Sequence, residues 1–212
     1  VRDTRDRLAS ARLYLVCDEQ PDWFVQAALR GGVDIVQLRM KDSPDDQVLM
    51  VAQRYRRICG AHGALFILND RPDLAVAAGA DGVHVGQDDV PSAEARTTVG
   101  ADRLVGLSTH TAREIDEASG VDYIGVGPVF ATPTKPGRPA VGVELVRYAA
   151  AHATVPFFAI GGIDATNAGR VRRAGADRLA VVRALTESSD PELAARELVE
   201  SVSKAGAAVG PA

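Results

Sequence analysis

Cysteine is scarce in this chain: Cys17 and Cys59 are the only two in 212 residues, and they form no CxxC pair. That excludes a disulfide framework and a cysteine-based zinc site, and it fits a reducing, cytoplasmic setting. Basic charge is not in excess either. The chain has 24 Lys and Arg against 28 Asp and Glu, for a net charge of -4, so nothing advertises a nucleic-acid partner. Long apolar runs are missing as well. No stretch reaches the roughly 20 apolar residues of a membrane helix, and Val1-Arg2-Asp3-Thr4-Arg5-Asp6-Arg7 has no apolar region of the kind a secretory signal carries. What remains is 46% hydrophobic and 25% charged residues, the balance of an ordinary globular domain. The expected partners are small molecules, with neither nucleic acid nor membrane among them. Self-association is left open.

Short β-branched runs alternate with segments of helical spacing, the pattern of βα units around a parallel sheet. Strands are predicted at 13–16, 33–38, 65–68, 82–85, 104–108, 123–126, 157–160 and 179–182. Between the second and third, residues 43–62 put Val48, Val51, Tyr55 and Ile58 on one helix face, with Ser43 as N-cap and Pro44 in the first turn. One phrase recurs four times: Gly32-Val33-Asp34, Gly79-Ala80-Asp81, Gly120-Val121-Asp122 and Gly175-Ala176-Asp177. Each copy closes a helix with glycine and turns into the second, fourth, sixth or eighth strand, so the chain reads as a repeated pair of βα units. Eight units average roughly 26 residues each, compact beside the roughly 250 residues usual for a (β/α)8 TIM barrel, which is the expected fold. The rival open doubly wound sheet lacks its glycine fingerprint, since Val16 leads into Cys17-Asp18-Glu19-Gln20. A single domain is expected over 1–212, with 1–10 an N-terminal extension and 205–212 a flexible tail.

In such a barrel the chemistry sits beyond the C-terminal ends of the strands, and polar residues collect there. The second strand ends Gln37-Leu38-Arg39-Met40-Lys41, with three long polar side chains on one side; an anion site explains them better than an internally paired cluster. The third and fourth lead into Asn69-Asp70 and Gln87-Asp88-Asp89. Each aspartate also reads as a helix N-cap ahead of a proline. Together, Asp70 and Asp89 suggest Mg2+, which takes one or two carboxylates and completes its shell from substrate phosphates and water. Ser108 reads as a hydrogen-bond donor, because no nucleophile elbow surrounds it. His110 is a weaker candidate for acid–base work, and His84 reads as a satisfied core histidine. The longest loop, residues 127–139, carries Thr132, Thr134 and Lys135 among prolines and glycines, as a lid would. The seventh and eighth strands lead into Gly161-Gly162 and Val182-Arg183, the usual place for a backbone phosphate site. Two anion pockets imply one diphosphate and one monophosphate substrate.

The motifs Gln37-Leu38-Arg39-Met40-Lys41, Asn69-Asp70, His84-Val85-Gly86-Gln87-Asp88-Asp89, Ser108-Thr109-His110, Gly127-Pro128-Val129-Phe130-Ala131-Thr132-Pro133-Thr134-Lys135 and Ala159-Ile160-Gly161-Gly162-Ile163 resemble, in order, those of the thiamine phosphate synthases. The resemblance runs from residue 13 to about residue 185. It implies a transferase that joins 4-amino-2-methyl-5-hydroxymethylpyrimidine diphosphate to a thiazole phosphate, releasing pyrophosphate. It also implies Asp70 and Asp89 on one Mg2+, with Gln37, Arg39, Lys41, Asn69, Ser108 and Lys135 around the pyrimidine diphosphate. Thr132, Thr134, Gly162, Val182 and Arg183 would face the thiazole phosphate. Arg183 departs from the family, where a small hydroxyl residue is frequent; a backbone contact survives that change. A thiazole tautomerase using His110, or a non-catalytic barrel that binds phosphorylated metabolites, are the competing readings.

Overall fold

The structure, a computed structural model, describes residues 3–132 and 139–203. Eight parallel strands pair in chain order: β1 (Leu13–Cys17), β2 (Ile35–Leu38), β3 (Leu65–Asn69), β4 (Gly82–Val85), β5 (Leu104–Thr109), β6 (Tyr123–Val126), β7 (Phe157–Ile160) and β8 (Leu179–Val181). β8 then returns to β1, Leu13 beside Leu179 and Leu15 beside Val181. That last pairing closes a (β/α)8 barrel and excludes the open sheet.

The period of two divides the strand residues between two cores. Leu13, Leu15, Val36, Leu38, Phe66, Val83, Val105 and Ile124 pack outward against the helices. Tyr14, Val16, Ile35, Leu65, Ile67, Leu104, Tyr123 and Phe158 fill the interior. The outer ring comprises α2 (Asp22–Arg30), α3 (Asp45–Ala61), α4 (Pro72–Ala77), α5 (Ser92–Val99), α6 (Ala112–Glu117), α7 (Gly142–His152), α8 (Ala168–Arg173) and α10 (Pro191–Ser203), with the short α9 (Arg183–Thr186) directly after β8. Helix α3 buries Val48, Val51, Ala52, Tyr55 and Cys59. Ser43 is not its cap: Pro44, at φ -59° and ψ 152°, takes that position and no side chain closes the first turn. The segment expected as an extension contains α1 (Thr4–Ser10). Its Leu8 joins the interior cluster, a burial that stabilises by roughly 1.5–3 kcal/mol.

The recurring phrase has a second role that the sequence did not show. Its glycines have φ of 106°, 65°, 69° and 106°, the left-handed region that a Cβ disfavours. Val33 and Asp34 therefore belong to the turn, and β2 starts at Ile35 rather than at residue 33. The aspartates reach back to the odd-numbered strands. Asp34 accepts from the Leu13 amide at 3.1 Å, Asp81 from the Phe66 amide at 2.8 Å and Asp122 from the Val105 amide at 2.8 Å. Arginines close over them: Arg7 and Arg56 lie 3.6 and 3.7 Å from Asp81, and Arg5 and Arg96 pair with Asp122. This charged belt fastens the N-terminal end of the barrel and leaves the opposite end to the site.

Candidate active site

A cavity of about 260 Å³ opens at the C-terminal ends of the strands. Eleven of the thirteen residues that the resemblance assigns to substrate or metal line it: Gln37, Arg39, Lys41, Asn69, Asp70, Asp89, Ser108, Thr132, Gly162, Val182 and Arg183. Thr134 and Lys135 lie outside the described residues. Residues far apart in the chain thus meet because parallel strands deliver their C-terminal ends to one rim.

At one side, the Lys41 ammonium lies 2.8 Å from Asp70 Oδ2 and 3.3 Å from Asp89 Oδ1. Neither aspartate caps a helix: Arg71 precedes α4, Pro91 precedes α5, and no side chain closes either first turn. Asp89 instead accepts from the Gly86 amide at 2.9 Å. Its neighbour Asp88 is exposed and does not line the cavity. Asp70 stands at φ 62°, the one non-glycine residue with positive φ among those described. That conformation costs of order 1–3 kcal/mol where a neighbourhood holds it in place. Here the Asp70 amide donates to the His84 carbonyl at 2.9 Å.

The charges at this corner are mutually dependent. Burial acts most strongly on Asp70 and raises its carboxyl above the ordinary value; the Asp89 charge adds to that and Lys41 opposes it. Burial alone would also raise Asp89, but the Asp70 hydrogen bond, the Gly86 amide and Lys41 together lower it. Lys41 is raised because both carboxylates outweigh its own partial burial. One cation already draws both acids together, and one or two carboxylates are what Mg2+ commonly takes from a protein. No cluster of three or more His, Cys, Asp and Glu fit for a metal occurs among the described residues. A metal here would therefore complete its shell from outside the protein, as Mg2+ does with phosphate oxygens. The Arg39 guanidinium lines the same cavity and pairs with no carboxylate among the described residues.

The opposite side is built from backbone. Gly161 and Gly162 have φ of 104° and 63°. They are glycines for a further reason: a Cβ at Gly161 would lie 2.4 Å from Pro128 Cα, and one at Gly162 2.9 Å from the Ala131 carbonyl. The loop after β6 seals onto this pair, with the Phe130 amide donating to the Gly161 carbonyl at 3.0 Å. The Arg183 side chain is half exposed and lies 3.6 Å from Glu187, which lines the same cavity.

The floor of the cavity holds residues that the sequence reading passed over. Gln37 Nε2 donates to Tyr14 Oη at 2.6 Å, Tyr14 Oη meets Tyr123 Oη at 2.9 Å, Tyr123 Oη lies 3.3 Å from His84 Nδ1, and His84 Nε2 lies 3.0 Å from Ser108 Oγ. His84 is satisfied, as expected of a core histidine, yet it also lines the cavity. The signal for Tyr14 and Tyr123 was their inward register on β1 and β6, which reads as apolar filling until the phenols are seen to meet. His110 lines the cavity with its Nδ1 bonded to the Gly127 carbonyl.

A family model for thiamine monophosphate synthase matches residues 13–185, from the start of β1 into α9. The chain belongs to the thiamine monophosphate synthase family. Among its relatives is the thiamine-phosphate synthase of Thermosynechococcus vestitus, 50% identical over 93% of this chain. The chain spans only 58% of that relative's length and 57% of the one from Gloeobacter violaceus. The thiamine-phosphate synthase of Thermobifida fusca is 49% identical, with 96% of this chain and 98% of that protein covered. In three dimensions the chain is similar to thiamine phosphate pyrophosphorylase from Pyrococcus furiosus, with a TM-score of 0.84, 32% identity and 94% and 98% of the two chains covered. A 3-hexulose-6-phosphate synthase, at a TM-score of 0.65 and 22% identity, shares the fold alone. Among the described residues, no helix is long and apolar enough to cross a membrane.

Proposed function

We propose that this chain joins 4-amino-2-methyl-5-hydroxymethylpyrimidine diphosphate to a thiazole phosphate, giving thiamine phosphate and pyrophosphate. The observation that carries the reading is the corner where Lys41, Asp70 and Asp89 meet beside Arg39, in a cavity whose other wall is glycine backbone. That arrangement suits a reaction in which charge leaves and no proton needs to be abstracted.

Loss of pyrophosphate from the exocyclic methylene breaks a C–O bond and leaves a cation that the ring delocalises with help from its 4-amino group. The thiazole nitrogen then supplies the electron pair for the new C–N bond. Arg39 and Lys41 stabilise the departing negative charge, as does Lys135 in the role the resemblance implies. Asp70 and Asp89 hold Mg2+, which when bound supplies further charge neutralisation to the diphosphate. Gln37, Asn69 and Ser108 orient the pyrimidine half. Thr132, Thr134, Gly162 and the Val182–Arg183 backbone hold the thiazole phosphate, so that the two reacting atoms stay at attack distance. The loop after β6 keeps water from capturing the cation. His110, the base of the tautomerase reading, has no part in these steps.

Incubating the chain with both substrates and Mg2+, and identifying the product by mass, tests the reading. Thiamine phosphate formed in step with pyrophosphate supports it. Interconversion of thiazole phosphate tautomers without coupling would replace it with the tautomerase.

A further inference from the structure

We propose that Tyr14, Tyr123 and His84 form a one-way hydrogen-bond relay that fixes what Gln37 and Ser108 present to the pyrimidine ring, and so sets a preference for a 4-amino over a 4-oxo ring. The inference rests on the reaction proposed above. It goes beyond that reading by assigning three positioning residues and the property they control.

The starting point is that polar groups inside a barrel are costly unless every one is satisfied, and apolar residues of similar volume would fill the space with less risk. Here the space is reserved for them. Gly106 on β5 faces the same interior, and a Cβ there would lie 2.2 Å from Tyr123 Cζ and 2.6 Å from His84 Nδ1. Phe158 packs edge-on against both phenol rings, at centroid distances of 5.3 and 5.8 Å. The rings are held, so the direction of their hydrogen bonds is set by proton count alone.

With the Gln37 amide as it stands and His84 neutral, one arrangement gives every proton of the chain an acceptor. Burial raises both phenols, so Tyr14 and Tyr123 each keep one proton to give. Gln37 Nε2 only donates, so Tyr14 Oη accepts from it and gives its proton to Tyr123. Tyr123 in turn gives its proton to His84 Nδ1. A neutral imidazole accepting at Nδ1 carries its proton on Nε2, and that proton goes to Ser108 Oγ. The Ser108 hydroxyl proton is then directed into the cavity. At the other end, Gln37 Oε1 has no partner among the described residues and is left to the same cavity.

The site therefore shows an acceptor at Gln37 and a donor at Ser108. An aminopyrimidine, with an N–H donor beside a ring-nitrogen acceptor, complements both. A 4-oxo ring offers the reverse pair. To accept it, the Gln37 amide would have to turn over and every proton along the relay would have to reverse with it. The relay thus makes two separate contacts act as one, and a site committed in this way rejects the mismatched ring more strongly than isolated contacts do.

Tyr123→Phe keeps the ring and cuts the relay at its centre. With thiazole phosphate and Mg2+, the ratio of kcat/KM for the 4-amino diphosphate to that for its 4-oxo analogue is expected to fall by about tenfold or more. The KM for thiazole phosphate should stay unchanged. Tyr14→Phe cuts a second link and should behave alike, should the first variant fail to fold. Independently of turnover, 15N spectra of the histidine-labelled wild-type protein should show His84 neutral and protonated at Nε2. An unchanged ratio in a folded variant, or an Nδ1-protonated His84 in the wild type, overturns the relay. Wild-type protein that never couples the 4-amino substrate overturns the proposed reaction instead, and the tautomer then decides the relay alone.

Discussion

Asp89 shows what a single residue does at this site. One of its oxygens holds the Gly86 amide at 2.9 Å and the other faces Lys41, so it both shapes the loop after β4 and completes the carboxylate pair. Asp89→Ala is expected to lower kcat by about 100-fold, the scale for losing preorganised electrostatic stabilisation, and added Mg2+ should restore little of it. Steady-state rates across a magnesium series check this; full rescue by metal would remove Asp89 from the pair. The cysteines give a contrasting case. Both are buried, and burial pushes the Cys59 thiol up to about 12 and Cys17 higher still. Neither should react with a thiol reagent at pH 8 until denaturant unfolds the chain. Because these thiols, with Tyr14, Tyr55 and Tyr123, are raised in the folded state, the native protein keeps protons that the unfolded chain releases. Their contribution is fully present below about pH 8.5, the ordinary thiol value, and is lost as pH rises above it. Denaturation midpoints measured at pH 8 and pH 11 should therefore fall with pH, and equal midpoints would contradict the buried, protonated assignment.

At the scale of elements, the most instructive parts are the turns that precede the even strands. Asp81 is buried, accepts from the Phe66 amide and has two arginines within 4 Å. Removing it leaves a buried amide without a partner and two guanidinium groups without a counter-charge. Asp81→Ala should cost about 2–4 kcal/mol, read as a lower urea midpoint with little change in KM, because the belt lies at the end of the barrel remote from the cavity. A shift within measurement error would mean that the belt is solvated. The turn glycines, their spacing and the strands that follow were legible in the sequence because backbone conformation is a local property. The grip of Asp34, Asp81 and Asp122 on the preceding odd strand was not, since it joins residues 15 to 21 positions apart. Nor was α1 legible as a part of the interior, because only closure of the barrel gives Leu8 something to pack against.

For the whole molecule, the order of eight strands fixed the closed barrel, and the barrel gathered the rim residues. That is why eleven site residues read from short motifs meet in one cavity. The polar chain beneath them escaped the sequence reading for the same reason in reverse. Tyr14 and Tyr123 come from strands 109 residues apart, and nothing near either one signals a hydroxyl partner. The cap reading of Asp70 and Asp89 was equally plausible from local sequence, and it falls because Arg71 and Pro91 take the cap positions while both carboxylates turn to Lys41. A site assembled in this way is expected to need two phosphorylated substrates and a divalent ion at once. Pyrophosphate release, followed with both substrates and Mg2+ and then with each omitted or the metal chelated, tests this most directly. Release that requires all three is the predicted result; release from the pyrimidine diphosphate alone, at the same rate and without thiazole phosphate, would contradict it.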